Sequence, residues 1–531
     1  MIECLNMPDS FSAPGGARVM GTIAGLLLLA AAPAAGQSEP LGLFEGQAQV
    51  GTGEKGKAAG AATYDPEGQT YTVADRSRSG AFRFAWKRMS GALLLRARLL
   101  RQAAPLCEAQ GGMMRAHLGA GAPFVSAVVS GDDGSARLRF RRREEGPVEE
   151  RPVPVADTDV LQLARQDSTY TVSAASFGDL LTSERADGVA LGEHVYAGLF
   201  ARSCGPTGGG GEGASRGAAA FGNVRIVEPA PDSLVPYEDY LGSRLEVMDV
   251  ESGKRTVRYR SPTSLQAPNW TPDGDALIYN SQGRLYRFDL GARTPEVIDT
   301  GFATSNNNDH VLSPSGDRLG ISHHSAEHDG ASIIYTVPSR GGTPEQITPE
   351  GPSYLHGWSP DGTHLTYTGE RDGAYDIYKI AVQGGEEVRL TRADGLDDGS
   401  EYAPDGEHIY FNSARTGTMQ LWRMKPDGTK QEQLTDDALN DWFPHVSPDG
   451  QWIVFLSYRP EVAAGDHPFY RQVYLRRMPV EGGPPEVIAY VYGGQGTINV
   501  PSWAPGSEQI AFVSNSGTIR RTGAPGEADE E

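Results

Sequence analysis

The sequence predicts an all-β protein, an N-terminal β-sandwich followed by a six-bladed β-propeller with a shared closing blade. Three observations carry this reading. An aromatic or apolar residue followed by Ser/Thr/Ala-Pro-Asp-Gly recurs through the second half, at Pro272, Pro314, Pro360, Pro404, Pro448 and Pro505. The intervals are 42, 46, 44, 44 and 57 residues, and a fixed period in this range built from short strands marks a propeller. The first half lacks that repeat but alternates apolar and polar residues over short runs, as antiparallel strands do.

The N-terminal residues come first. Arg18 precedes a short apolar run from Ile23 to Ala32, with small residues at Ala34 and Gly36. This is the pattern of an export signal over 1–36, cleaved before Gln37. Glu3 and Asp9 make the leader unusual, and translation starting at Met20 would remove them. The run is too short to span a bilayer comfortably. The mature chain is therefore expected to be periplasmic or secreted, with no integral membrane segment. Cys4 is lost with the signal, leaving Cys107 and Cys204. In an exported domain these form one disulfide or stay as two buried thiols. A net charge of −21 excludes a general nucleic-acid binder, which needs a basic face to meet phosphates.

Within 37–228 the strand candidates include Thr70–Val73, Phe82–Trp86, Ala92–Arg98, Ala136–Phe140, Val195–Phe200 and Gly222–Val227. They suffice for a two-sheet sandwich. Ala62–Val73, Val195–Phe200 and Ala220–Ile226 resemble strands of the laminin-G/concanavalin-like jelly roll. The resemblance implies a module that accompanies carbohydrate enzymes and binds glycans. Trp86, Tyr64 and Tyr71 could then stack on sugar rings or simply fill the core. Gly213-Ala-Ser-Arg-Gly217 fits the pattern of a nucleophile elbow, but its glycine flanks offer no strand before it and no helix after it.

A proline-containing linker is expected over 229–241 and the propeller over 242–516, with a short acidic, disordered tail at 517–531. Each repeat reads as an inner strand, the Pro-Asp-Gly turn, a hydrophobic strand such as Trp452–Phe455, a third strand and a short fourth. Two spare strands precede the first repeat, Arg244–Asp249 and Arg255–Tyr259, and the chain after Phe512 is too short for a blade. Pairing the spare strands with the last two closes the ring and leaves no long open edge. The Trp/Tyr-Ser/Ala-Pro-Asp-Gly copies, each followed by Ile/Leu-x-Tyr/Phe, resemble the TolB-like β-propeller family. That resemblance implies a role in periplasmic complexes. The expected partner is a glycan or an envelope protein, and the chain is expected to be a monomer.

Ligands of propellers usually bind at one mouth of the channel that the inner strands surround. Just upstream of successive turns stand Asp309-His310, His356, Glu401 and His445. His310, His356, Glu401 and His445 are a usual ligand set for a divalent metal such as Ca, Mn or Zn. Asn308, Asp309, Arg371, Asp398, Asp441, Gln495 and Asn499 are the further candidates for ligand binding. One difficulty is visible. His310 and His356 lie four residues before their proline, whereas Glu401 and His445 lie three before. A one-residue step on a strand turns a side chain to the other face, unless a bulge re-aims it. The same residues could instead cap blade turns.

Oligogalacturonate lyases resemble these repeats and carry histidine ligands for a channel metal. Their closely spaced Gln and His ligands are missing here, which puts lyase activity in doubt. If it occurred, the metal would neutralise the substrate carboxylate, and Arg371 or a histidine would take the C5 proton. Prolyl oligopeptidase-type enzymes need a hydrolase domain for which the chain has no room. Two readings follow: a binding protein of the envelope, or a metal-dependent lyase or hydrolase acting on polysaccharide.

Overall fold

The computed structural model describes residues 41–51, 60–75, 81–100, 107–131, 134–202, 218–235, 238–517 and 520–521. The export segment, Cys204, Gly213–Gly217 and residues 522–531 lie outside the described residues. Among the described residues the only helical element is a single 3-10 turn, Ala326–His328. No described helix is long and apolar enough to cross a membrane.

The first half forms two seven-stranded antiparallel sheets. In spatial order the first is Gly46–Val50, Phe82–Ser90, His194–Arg202, Ala109–Arg115, Phe124–Ser130, Ala136–Arg141 and Glu149–Val153. The second is Thr182–Ala186, Thr169–Ala175, Val160–Gln166, Leu93–Leu99, Ala219–Val227, Thr70–Val73 and Ala62–Asp65. Their facing side chains, among them Leu93, Leu95, Val125, Ala127, Phe140, Leu163 and Leu199, make one buried core. Burial of a core this size is the main force holding the sandwich. Tyr71 belongs to that core, and its hydroxyl accepts the Leu43 N–H at 2.6 Å. Tyr64 packs on it, with ring centroids 4.6 Å apart. Trp86 is on the outer face of the first sheet, half-buried and edge-on to Tyr196. Cys107 is buried just ahead of strand Ala109–Arg115.

The second half is the six-bladed ring. Five blades are four-stranded and begin with inner strands Gln266–Trp270, Asn306–Leu312, Ser353–Trp358, Asp397–Tyr402 and Asn440–Val446. They are blades 1 to 5. Blade 6 joins both ends of the propeller segment. Arg255–Ser261 pairs with Ser243–Asp249, which pairs with Gln509–Asn515, and Ile510 bridges to Trp503. The two spare strands thus close the ring as the sequence predicts.

The repeat motif has a local cause. Gly274, Gly316, Gly362, Gly406 and Gly450 take φ between 70° and 75°, a conformation that side chains with a Cβ resist. Each glycine N–H donates to the carbonyl three residues earlier, as for Gly450 to Ser447 at 2.8 Å. In blade 5 the Ser447 hydroxyl also donates to Asp449 at 2.5 Å, an arrangement repeated by Ser359 with Asp361. Tryptophan before the turn ties blade to blade. Trp358 Nε1 donates to Val311 O, and Trp503 Nε1 donates to His445 O, each at 2.9 Å.

The sandwich docks on the outer strands of blades 5 and 6. Arg225 of the sandwich and Arg255 of blade 6 both pair with the fully buried Glu246. Arg98 donates to Ser252 O at 2.6 Å, and Gln162 to Gln472 at 2.8 Å. The expected linker is also docked. Ala230 N–H donates to the Tyr492 hydroxyl, and Asp239–Tyr240 pairs as a strand with Arg520–Arg521. That pairing places 520–521, expected in the disordered tail, in a strand.

Candidate functional site

Every inner strand of blades 1 to 5 carries a bulge upstream of its turn. The bulges decide which side chains reach the ring axis. In blade 3, Leu355 pairs with Tyr367 and Gly357 with Thr366, so His356 is the extra residue and leaves the ladder. In blade 2 the bulge lies between Asn306 and His310, so His310 itself stays paired, opposite Ile321.

His356 is consequently the hub of the channel. Its Nε2 stands 3.0 Å from Asp398 Oδ1 of blade 4. Its Nδ1 approaches Asn499 O at 3.4 Å, on the far side of the ring in the segment leading into blade 6. Its ring stacks on Phe443 of blade 5 at 5.9 Å. Asp309 of blade 2 faces it electrostatically. One imidazole therefore meets four other blades. Both nitrogens face acceptors, which suits the doubly protonated ring. Burial opposes that charge, but the Asp398 carboxylate and its hydrogen bond, with help from Asp309, raise His356 to about 9. Burial likewise opposes the charge of Asp398, yet His356 outweighs it and holds Asp398 down at about 2. Asp398 Oδ1 also accepts from Thr368 Oγ1 at 2.6 Å and from the Gly399 N–H at 2.8 Å.

Asp309 is different. It is 6% exposed, and its carboxylate accepts no hydrogen bond from any described residue. Burial raises it to about 7, because the pull of His356 is offset by the push of Asp398. Beside it in the bulge, Asn308 Nδ2 is buried without an acceptor. Over this end of the channel, away from the Pro-Asp-Gly turns, lies the long hairpin loop of blade 5. It brings His467 onto Trp442, stacked at 4.5 Å, and edge-on to Phe443. Burial lowers the His467 pKa. Tyr354 of blade 3 lies in the electrostatic field of Asp309 and Asp398; Tyr375 lies in that of Asp398 and bonds to Glu370.

The other expected ligands have structural duties. His310 is fully buried, with Nε2 3.4 Å from Ile278 O, and burial lowers it to about 4. Glu401 joins blades 4 and 5. It accepts from the Val446 N–H at 3.1 Å and meets His445 Nδ1 at 2.6 Å. Asn269 does the same one-sidedly between blades 1 and 2, accepting from the Leu312 N–H at 2.9 Å. His445 Nε2 meets Ile498 O. The four metal candidates thus separate into a lone His310, a His356 bound to Asp398 and a His445–Glu401 pair. Among the described residues no three His, Cys, Asp or Glu side chains come together as a metal-binding group.

Arg371 is spent on Glu387, at 2.5 Å, and on Ser353 Oγ, at 2.9 Å. Arg415 repeats this in blade 4, reaching Asp397 at 2.8 Å. Asp441 is buried against Arg476 and Ser457, and burial raises it to about 6. Asn499 Oδ1 caps the Gly496 N–H at 2.7 Å, and the Gln495 N–H donates to Pro468 O. Sequence reasoning missed His467, Phe443, Tyr354 and Tyr375. Only Phe443 carried a signal. It sits at the repeat position of Gly399, and both have positive φ, so the bulge there was legible from Gly399 alone.

Comparison with known proteins agrees with the ring. A TolB β-propeller domain matches residues 353–521. An uncharacterized protein of Agrobacterium fabrum is 47% identical over 272 residues, spanning 51% of this chain and 92% of that protein. The chain belongs to the TolB β-propeller family. A solved structure of a TolB candidate from Agrobacterium tumefaciens is 46% identical, with a TM-score of 0.51, covering 52% of this chain and 99% of the other. TolB from Acinetobacter baumannii is 16% identical, with a TM-score of 0.37, over 68% of this chain and 80% of the other. In this TolB-like protein the family propeller accounts for half the chain, and the sandwich is joined to it through Glu246.

Proposed function

We propose that this is an exported TolB-like protein that binds an extended segment of an envelope protein at the His467 end of its propeller channel. One observation supports this over catalysis. Of the channel carboxylates, Asp398 and Glu401 are committed to hydrogen bonds between blades, and only Asp309 is unspent. A site with one free polar group in an aromatic recess suits recognition, which needs few well-placed polar groups. Acid–base catalysis asks for two groups poised on a substrate. The sandwich, akin to laminin-G/concanavalin modules, acts as a second contact surface. Trp86 and Tyr196 are its natural platform for a glycan. Cys107 and Cys204 pair as a disulfide, in keeping with a periplasmic or secreted monomer.

The test is a peptide-display and glycan-array screen of the full chain, with its metal content measured by mass spectrometry. Peptide binders lost on Tyr375→Ala support the channel reading. Stoichiometric Ca, Mn or Zn lost on His356→Ala, together with cleavage of a uronate polymer, would replace it with the metal-dependent polysaccharide enzyme. Glycan binding lost only on Trp86→Ala would move recognition to the sandwich.

A further inference from the structure

Asp309 poses a physical problem. A carboxylate removed from water without a partner costs several kcal/mol, and natural interiors rarely keep one. Donors of the adjoining blades are aimed elsewhere. The hydroxyl of Thr368 and the N–H of Gly399 go to Asp398 instead. His356 is likewise directed at Asp398 and Asn499. The charge pairing is equally specific. His356 and Asp398 pair with each other, Glu401 is held by His445 and the Val446 N–H, and the Asp309 carboxylate is left without a donor. Tyr354 lies in the field of Asp309 and Asp398, and Tyr375, 36% exposed, lies in that of Asp398 and bonds to Glu370. Carboxylate plus phenol faces is the set that recognises organic cations. A hydrated divalent ion would meet one carboxylate only, beside an imidazolium.

We propose that the Asp309 recess is a socket for one organic cation, an alkylammonium or guanidinium group. The proposal rests on the channel-binding reading above and names its chemistry. The cation supplies the missing partner of Asp309, and the tyrosines line its path inward. The buried Asn308 Nδ2, which has no acceptor, is available to a carbonyl of the same ligand after a small shift. Recognition is of charge and length: a Lys or Arg side chain reaches in while its backbone stays at the mouth.

The experiment uses the full chain. A random 12-residue peptide display is run on the wild type, and enriched peptides are titrated calorimetrically against wild type, Asp309→Asn, Tyr375→Ala and His310→Gln. Free n-butylammonium, n-butylguanidinium and Ca2+ are titrated in parallel. The expected result is enrichment of Lys or Arg, at least tenfold weaker binding by Asp309→Asn, and no change in His310→Gln. Weak binding of the free cations, also lost in Asp309→Asn, would show that the group alone is recognised; cation-dependent peptide binding without it would assign recognition to the side chain on its backbone. Peptides that lack a cation, or ignore Asp309→Asn but lose affinity on Tyr375→Ala, overturn the socket and keep the channel. Peptides indifferent to both variants, or no enrichment, overturn both. Ca2+ binding that depends on Asp309 and excludes butylammonium also overturns the socket. Asp309→Asn is expected to fold, so its loss of binding is not a loss of structure; a melting temperature at or above wild type at pH 8 checks this.

Discussion

Blades 2 and 3 present the same residue at the same distance from the same turn, and the two histidines end in opposite states. His310 stays in its ladder opposite Ile321, sealed from solvent, and burial drives it down to about 4. His356 is thrown out of its ladder by a bulge, finds Asp398, and is raised to about 9. The difference shows that spacing to a motif does not fix direction on a strand. The position of one extra residue does, because strand side chains alternate with period 2.

The largest effect expected from breaking this contrast is in blade 4. Asp398→Ala leaves the His356 imidazolium buried and unpaired, which should cost about 3–5 kcal/mol, read as a lower urea midpoint. His310→Leu, at the same motif position as His356, should cost less than about 1.5 kcal/mol by the same measurement, since it exchanges one neutral buried side chain for another. Comparable losses in the two variants would contradict the assigned states. Gly399→Ala tests the bulge itself. A Cβ there would stand 2.5 Å from Asn412 Oδ1 and 3.1 Å from Phe443, at φ 65°, so a loss of about 2–3 kcal/mol is expected.

The pH dependence should separate the histidines directly. The folded pKa of His356 is above its unfolded value, so its pair with Asp398 stabilises fully below about 6.5, and that stability is lost as pH rises through about 9. Asp398 works from the acid side: its contribution is present above about 3.9 and is lost as pH falls through about 2. His310 behaves oppositely to His356, because protonating it costs folding energy as pH falls from about 6.5 towards about 4. NMR of the imidazole protons, assigned with His310→Gln and His356→Gln, should show two midpoints on either side of 6.5. Coincident midpoints would remove the contrast. The smallest effect expected is at Asp309. Burial raises it to about 7, so the destabilisation builds as pH rises from about 3.9 and is full above about 7; Asp309→Asn should gain about 1–2 kcal/mol more at pH 8 than at pH 4. A loss at pH 8 would mean that the carboxylate has a structural partner.

Much of this was legible in the residues. Pro-Asp-Gly recurs because the turn needs fixed φ at Pro, an accepting side chain at Asp and positive φ at Gly, all local demands. The spare strands before Pro272 announced the closing blade because a ring cannot leave edges open. Arg371 was misleading for a related reason. It repeats Arg415, and both reach back to the first residues of their inner strands, so its duty is visible only when two blades are laid side by side in space. His445, prominent in sequence, is occupied by Glu401 and Ile498, and the interest passes to His356.

By itself, the sequence determined the two halves, the number of blades and the way the ring closes, since period, turn chemistry and alternation act over a few residues. Tertiary structure alone decided what stands on the axis. Bulge placement depends on packing between neighbouring blades, and the His467 loop reaches Trp442 only once blade 5 is folded. Asp309 stays unpaired because blades 3 and 4 direct their donors to Asp398.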